Sequence, residues 1–159
     1  MKWMATCLVI VCFSFAACKS KMAKDYSDTI VKKQNPLEVD MEKATNQLRI
    51  YFGNYDYDSI VNVSTRMETE ISNVVNDINK IPAPKLKEAE NFKAETLKYL
   101  NYKKNVFTTY KNYGMQTTPE GRELLRMNMT AMLSQEKIMN SNLQAAQINF
   151  ARANHVKIK

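Results

Sequence analysis

Residues 60–81, IVNVSTRMETEISNVVNDINKI, decide the fold. Within them Ile60, Ser64, Met67, Ile71, Val74, Ile78 and Ile81 step by alternating fours and threes. That spacing lays one stripe along an α-helix. Only Ser64 is polar, and neighbouring Val63 stands ready to cover it. The same step recurs in three other segments. Upstream it runs through Ile30, Gln34, Leu37, Met41, Ala44, Leu48 and Tyr51. Downstream, Phe92, Tyr99, Tyr102, Val106, Tyr110 and Tyr113 share one arc, with Leu86, Leu97, Leu100 and Phe107 beside it. The last segment carries Leu125, Met129, Met132, Met139, Leu143, Ala146, Phe150 and Ala153, broken once by Glu136. Stripes of this period, sustained over several turns, belong to helices that cross at shallow angles. Four of them joined by short turns predict an all-α, up-down-up-down four-helix bundle.

The turn formers set the boundaries. Three glycines and four prolines in 159 residues are too few for a sandwich or barrel, which needs a turn signal every eight to twelve residues. With 45% hydrophobic and 25% charged residues, general disorder is excluded too. Gly53 and Gly114 read as residues just past a helix end, Pro84 and Pro119 as first helical residues, and Asp58 and Thr118 as N-caps. The expected helices are therefore about 25–52, 58–81, 84–113 and 119–155 within a bundle domain of 25–159. Pro36 either kinks or breaks the first. Ile30 and Leu37 are in phase across it, which favours one helix. At 1.5 Å per residue such a bundle is about 40–50 Å long.

The N-terminus reads as a targeting segment. After Met1-Lys2 the stretch Trp3–Phe15, WMATCLVIVCFSF, carries no charge. It is too short for a membrane-spanning helix, which needs about 20 residues, and fits a secretory signal. Ala16, Ala17 and Cys18 follow. Phe15-Ala16-Ala17-Cys18 resembles a bacterial lipobox, with Phe15 where that motif usually has Leu. The resemblance implies a signal peptide over 1–17, cleavage before Cys18, and lipid on its sulfur. Residues 18–24 then read as the lipidated cysteine and a short tether. Cleavage would remove Cys7 and Cys12, so no disulfide could form and core packing must hold the fold. Several acyl chains at one residue would anchor it stably.

Chemistry-bearing residues are sparse. There is one histidine, His155, and the sequence has no GxSxG, HExxH, CxxC, CxxCH or glycine-rich phosphate loop. Nucleophile–base pairs of the usual kind are missing, so no enzyme activity is expected. Glu68 with Glu70 and Glu88 with Glu90 sit two apart and do not face each other on a helix. Glu120 and Glu123 fall in a first helical turn, where they complement the dipole. Asn54 to Ser59 begins like a calcium loop but puts Ser59 and Thr65 where glycine and glutamate are required. Met127, Met129 and Met132 offer thioethers, yet the last two lie on the apolar stripe and fill a core. No metal and no cofactor is expected. One constellation stands apart: the topology brings Met22 and His155 to one end, the ligand pair of four-helix b-type cytochromes.

From Lys19 onward 22 basic and 16 acidic side chains leave +6. The stretch 98–113, KYLNYKKNVFTTYKNY, mixes Lys98, Lys103, Lys104 and Lys111 with five aromatics. In an exported chain this is a candidate surface for an acidic envelope polymer or protein, not for nucleic acid. The alternative makes the aromatics core and the lysines its rim. Met127, Ala131, Ile138 and Ala145 form a weaker stripe of their own. The lipobox, the stretch Tyr26–Leu37 ending IVKKQNPL, and the turn Ile81-Pro82-Ala83-Pro84-Lys85 resemble small helical lipoproteins of Bacteroidetes, and a related set of spirochaete surface proteins. The resemblance implies a bundle without assigned activity. Surface-exported members of that group carry acidic residues soon after the cysteine; Lys19-Ser20-Lys21 stand there in this chain, so the resemblance implies an outer membrane position facing the periplasm. The expected function is a membrane-anchored envelope lipoprotein, bound to the bilayer through Cys18, with a non-catalytic binding or structural role. The alternative is a bundle that carries haem, a metal or a hydrophobic molecule.

Overall fold

Four helices and no strand make up the described residues of the chain: α1 Met4–Gly53, α2 Tyr57–Lys80, α3 Ala89–Met115 and α4 Pro119–Ala153. The structure, a computed structural model, describes the backbone of residues 4–156 and the side chains of 18–156. The side chains of the expected signal segment, 1–17, lie outside the described residues, as do Lys157, Ile158 and Lys159. Each helix packs on the next along the chain, α1 on α2, α2 on α3 and α3 on α4. This is the expected four-helix bundle. The seam between α1 and α4 is the loosest of the four.

Local chemistry fixes the helix ends. Asp56, not Asp58, caps α2: its carboxylate accepts from the Ser59 N–H at 3.1 Å. Asp58 falls two residues later, within the first turn, and complements the dipole instead. Thr118 caps α4 as expected, accepting from Gly121 N–H at 3.2 Å, and Pro119 opens the helix. α3 begins at Ala89 and not at Pro84. The Leu86 N–H folds back on the Pro84 carbonyl at 2.7 Å, and Glu88 takes a left-handed φ of 65°, so the chain turns again before the helix starts. Neither Gly53 nor Gly114 has a positive φ; in the first connection the left-handed residue is Tyr55. Gly114 lies inside α3, which runs on to Met115. A Cβ there would stand 2.8 Å from Val61 Cγ2 and 2.9 Å from the Tyr57 carbonyl oxygen, so glycine permits the close approach of α2.

α1 passes through Pro36 without a break. The proline lacks an N–H, which leaves the Lys32 carbonyl without its helical donor. Both residues are exposed, so water can take the donor's place. Residues 18–24, expected as a tether, are helical, and Ala23 is fully buried. The reason is packing: Ala23 and Tyr26 continue the stripe of Ile30 for two more turns.

The core follows the stripes. Ile60, Met67, Ile71 and Ile78 of α2 are fully buried, and so is Ser64. Val63 is only half-buried, so Ser64 itself fills the seam, contrary to the expected cover by its neighbour. At the end shared by Cys18 and Val156, Tyr26, Phe92 and Phe150 form an aromatic cluster, Phe92 stacked on Phe150 at 5.4 Å and Tyr26 edge-on to Phe150 at 5.7 Å. Asn154 ties α4 to the 81–88 connection by donating to the Lys87 carbonyl at 2.8 Å. Lys93 donates to the Asn79 and Ile81 carbonyls and closes the end of α2. This end of the bundle is sealed.

Candidate functional site

The opposite end of the bundle is open along one seam. α4 meets α1 at the sealed end, where Phe150 and Ala151 are buried and the Ser20 hydroxyl donates to the His155 carbonyl at 3.2 Å. Towards Gly53 the two helices part, and the tyrosines of α3 floor the gap. Its first compartment, about 260 Å³, has Tyr110 and Tyr113 as floor. Leu48 and Phe52 form the α1 wall, and Met129 and Leu133 the α4 wall. Thr45 and Thr130 add hydroxyls, and Arg49 and Arg126 stand on the two helices that flank it. Phe52 lies edge-on to Tyr110 at 5.6 Å and tilted against Tyr113 at 4.9 Å, so the floor is a fixed aromatic surface.

A second compartment, about 420 Å³, adjoins the first at Thr45. Glu38 and Glu42 of α1, Glu136 of α4 and Lys103 of α3 line it. Lys103 forms an ion pair with Glu136 and lies 5.6 Å from the centre of the Tyr99 ring. Burial pushes the Glu38 carboxyl above the usual range; Lys103 and a hydrogen bond with Tyr99 oppose the shift, and the Glu136 charge adds to it. Burial, followed by the charges of Glu38 and Glu136, pushes the Tyr99 phenol up as well. Burial likewise raises Tyr110 and Tyr113. The floor therefore presents protonated hydroxyls across the neutral range. Neither compartment is lined by cysteine, histidine or serine. The arrangement can hold a molecule, with charge of opposite sign towards its two ends.

The sequence-predicted residues fall elsewhere or are already engaged. Cys18 is exposed and in no disulfide. Lys98 pairs with Glu95 at 3.5 Å, Lys103 with Glu136, and Lys111 with Glu68, which also accepts from Thr108. The charge of Lys104 acts on Glu68 too. Lys104 and Lys111 thus face α2, Lys103 faces α4 and Lys98 pairs within α3, so the four do not form one open patch. Met22 and His155 share an end, as the topology required, and both side chains are exposed. Met127, Ala131, Ile138 and Ala145 are all exposed. Among the described residues no three His, Cys, Asp or Glu side chains gather as a metal site, and no helix is long and apolar enough to cross a membrane. Sequence reasoning missed Glu38, Arg49 and Arg126. The legible hint was Glu136, the single charge on an otherwise apolar stripe, three helices away in sequence from its neighbour Glu38.

In comparison with known proteins, the chain matches no family model, no curated protein and no solved structure.

Proposed function

We propose that this chain is a lipid-anchored, non-catalytic binding bundle of the bacterial cell envelope, held to the membrane through Cys18. One observation carries the reading: the only cysteine among the described side chains is exposed and unbridged, immediately after an apolar run that ends in two small residues. The thiol has no structural task in the bundle, so it is available for acylation. α1 is already helical at Cys18. An anchored bundle would therefore stand directly on the bilayer, with exposed Lys19 and Lys21 close to anionic headgroups. An outer membrane position facing the periplasm remains the location proposed from those lysines.

Palmitate labelling of cells that produce the chain, with and without Cys18→Ser, tests this. Label and membrane association should both be lost in the variant. A variant that still takes up label and sediments with membranes overturns the assignment, as does an unacylated mature protein beginning at Met1.

The second reading, a ligand-carrying bundle, gains support from the open seam between α1 and α4. Its tyrosine floor and apolar walls favour a hydrophobic molecule over a haem held by Met22 and His155, because those two side chains are turned to solvent.

A further inference from the structure

We propose that the arginine-flanked compartment of the α1–α4 groove binds a single-chain anionic amphiphile of the fatty-acid class, with its carboxylate between Arg49 and Arg126 and its alkyl chain over Tyr110 and Phe52. The site does not depend on lipidation of Cys18. It lies about 45 Å further along α1, at 1.5 Å per residue, so the chain's own anchor is not the occupant.

Charge is the first argument. Arg49 on α1 and Arg126 on α4 flank one apolar cleft. Like charges across a seam oppose its closure, and an anion between them would reverse that repulsion. Arg49 donates only to the Asn46 side chain, at 3.0 Å. Arg126 is held by Glu123 through two bonds of 2.7 and 2.6 Å, but both partners are more than half exposed. Exposed pairs of this kind are weak and readily exchanged. Each guanidinium has five donors in a planar fork, a shape that matches a carboxylate.

Size and polarity are the second. The compartment holds about 260 Å³, just below the roughly 300 Å³ where sites for drug-sized ligands begin. An unbranched chain fits an open trough of that volume. The adjoining compartment carries Glu38, Glu42 and Glu136 against the single Lys103. That acidic end repels a second negative group. The ligand therefore has one anionic head, orientated towards the arginines.

Calorimetric titration of the full chain carrying Cys18→Ser tests the proposal without reference to the anchor. Dodecanoate should bind one per chain. Dodecyltrimethylammonium, with the same tail and the opposite charge, should bind at least tenfold more weakly, and acetate should not bind at saturating dodecanoate concentrations. Arg49→Gln with Arg126→Gln should weaken dodecanoate at least tenfold while the thermal unfolding curve stays in place. Leu133→Ala, at an exposed wall residue, should weaken it several-fold. No dodecanoate binding, several molecules per chain, equal affinity for the cationic amphiphile, or an unchanged affinity in the double variant would each overturn it.

Discussion

Ser64 is fully buried in α2, and its hydroxyl has no hydrogen-bond partner. A serine inside a helix usually donates to the carbonyl four residues back, as Ser72 does to Glu68 at 2.7 Å. An unsatisfied buried hydroxyl costs about 1–3 kcal/mol. Ser64→Ala removes that cost without opening a cavity, and should raise the urea-unfolding free energy by about 1 kcal/mol. A loss of stability would mean that the hydroxyl is satisfied after all. Gly114 gives the opposite sign. Alanine gains about 1 kcal/mol of helix propensity over glycine, but here its Cβ meets Val61 and the Tyr57 backbone under 3 Å. Gly114→Ala should therefore lower stability by about 1–3 kcal/mol, as overpacking does. Gly53→Ala is the control, because nothing lies within 4 Å of a Cβ there. Its unfolding midpoint should be unchanged or slightly raised.

Between elements, ionisable pairs decide how the seams respond to acid. Glu68 on α2 meets Lys111 and Thr108 on α3. Burial raises its pKa, but hydrogen bonds from Lys111 and Thr108 and the charges of Lys111 and Lys104 outweigh it, so the net direction is down. A lowered folded value gives stability that is fully present above the unfolded pKa, about 4.3, and lost as pH falls through the folded value. Glu38 on α1 behaves in reverse. Its raised folded value means that the fold takes up a proton before the unfolded chain does, so acidification from neutrality adds stability until about pH 4.3. Glu68→Gln should cost about 1–2 kcal/mol at pH 7 and flatten the loss below pH 4. Glu38→Gln should raise stability at pH 7 and erase the gain on mild acidification. Urea titrations across pH 3–7 read both, and the opposite signs would reject this account of the two seams. How legible the elements were follows from the same physics. Period alone located the stripes, because burial needs a repeat that returns to one face. The starts of α2 and α3 were displaced, because Asp56 competes with Asp58 for the same cap and a two-proline turn can close before a helix opens. The groove was illegible for another reason. Arg49 and Arg126 are ordinary off-stripe charges, and only the divergence of α1 from α4 makes them neighbours of one cleft.

At the scale of the molecule, the seams are unequal, and that inequality sets where the bundle opens. α2 is buried along most of its face, at Ile60, Ser64, Met67, Ile71 and Ile78. α4 is not: between Met129 and Ala146 no side chain is fully buried, while Leu133 and Ile138 are more than half exposed. Local opening follows the density of buried apolar contact, so α4 should open well below the free energy of global unfolding. Native-state hydrogen exchange should show amides 131–145 exchanging at least tenfold faster than amides 64–78, a difference of about 1.4 kcal/mol in local stability. The last turns of α4 should be protected like α2, because Phe150 is stacked into the sealed end and Asn154 is bonded to the connection below α3. A gradient along one helix, weak at its middle and strong at its C-terminal end, distinguishes this arrangement from uniform fraying of the terminal helix, which would leave residues near 150 the least protected. An occupant of the α1–α4 groove touches Met129 and Leu133 and excludes water from that part of α4. The same measurement in the presence of dodecanoate should then slow exchange over 129–133 and leave 64–78 unchanged. Equal protection of α2 and mid-α4 in the unliganded chain would mean that α4 is held across its length and the seam is shut.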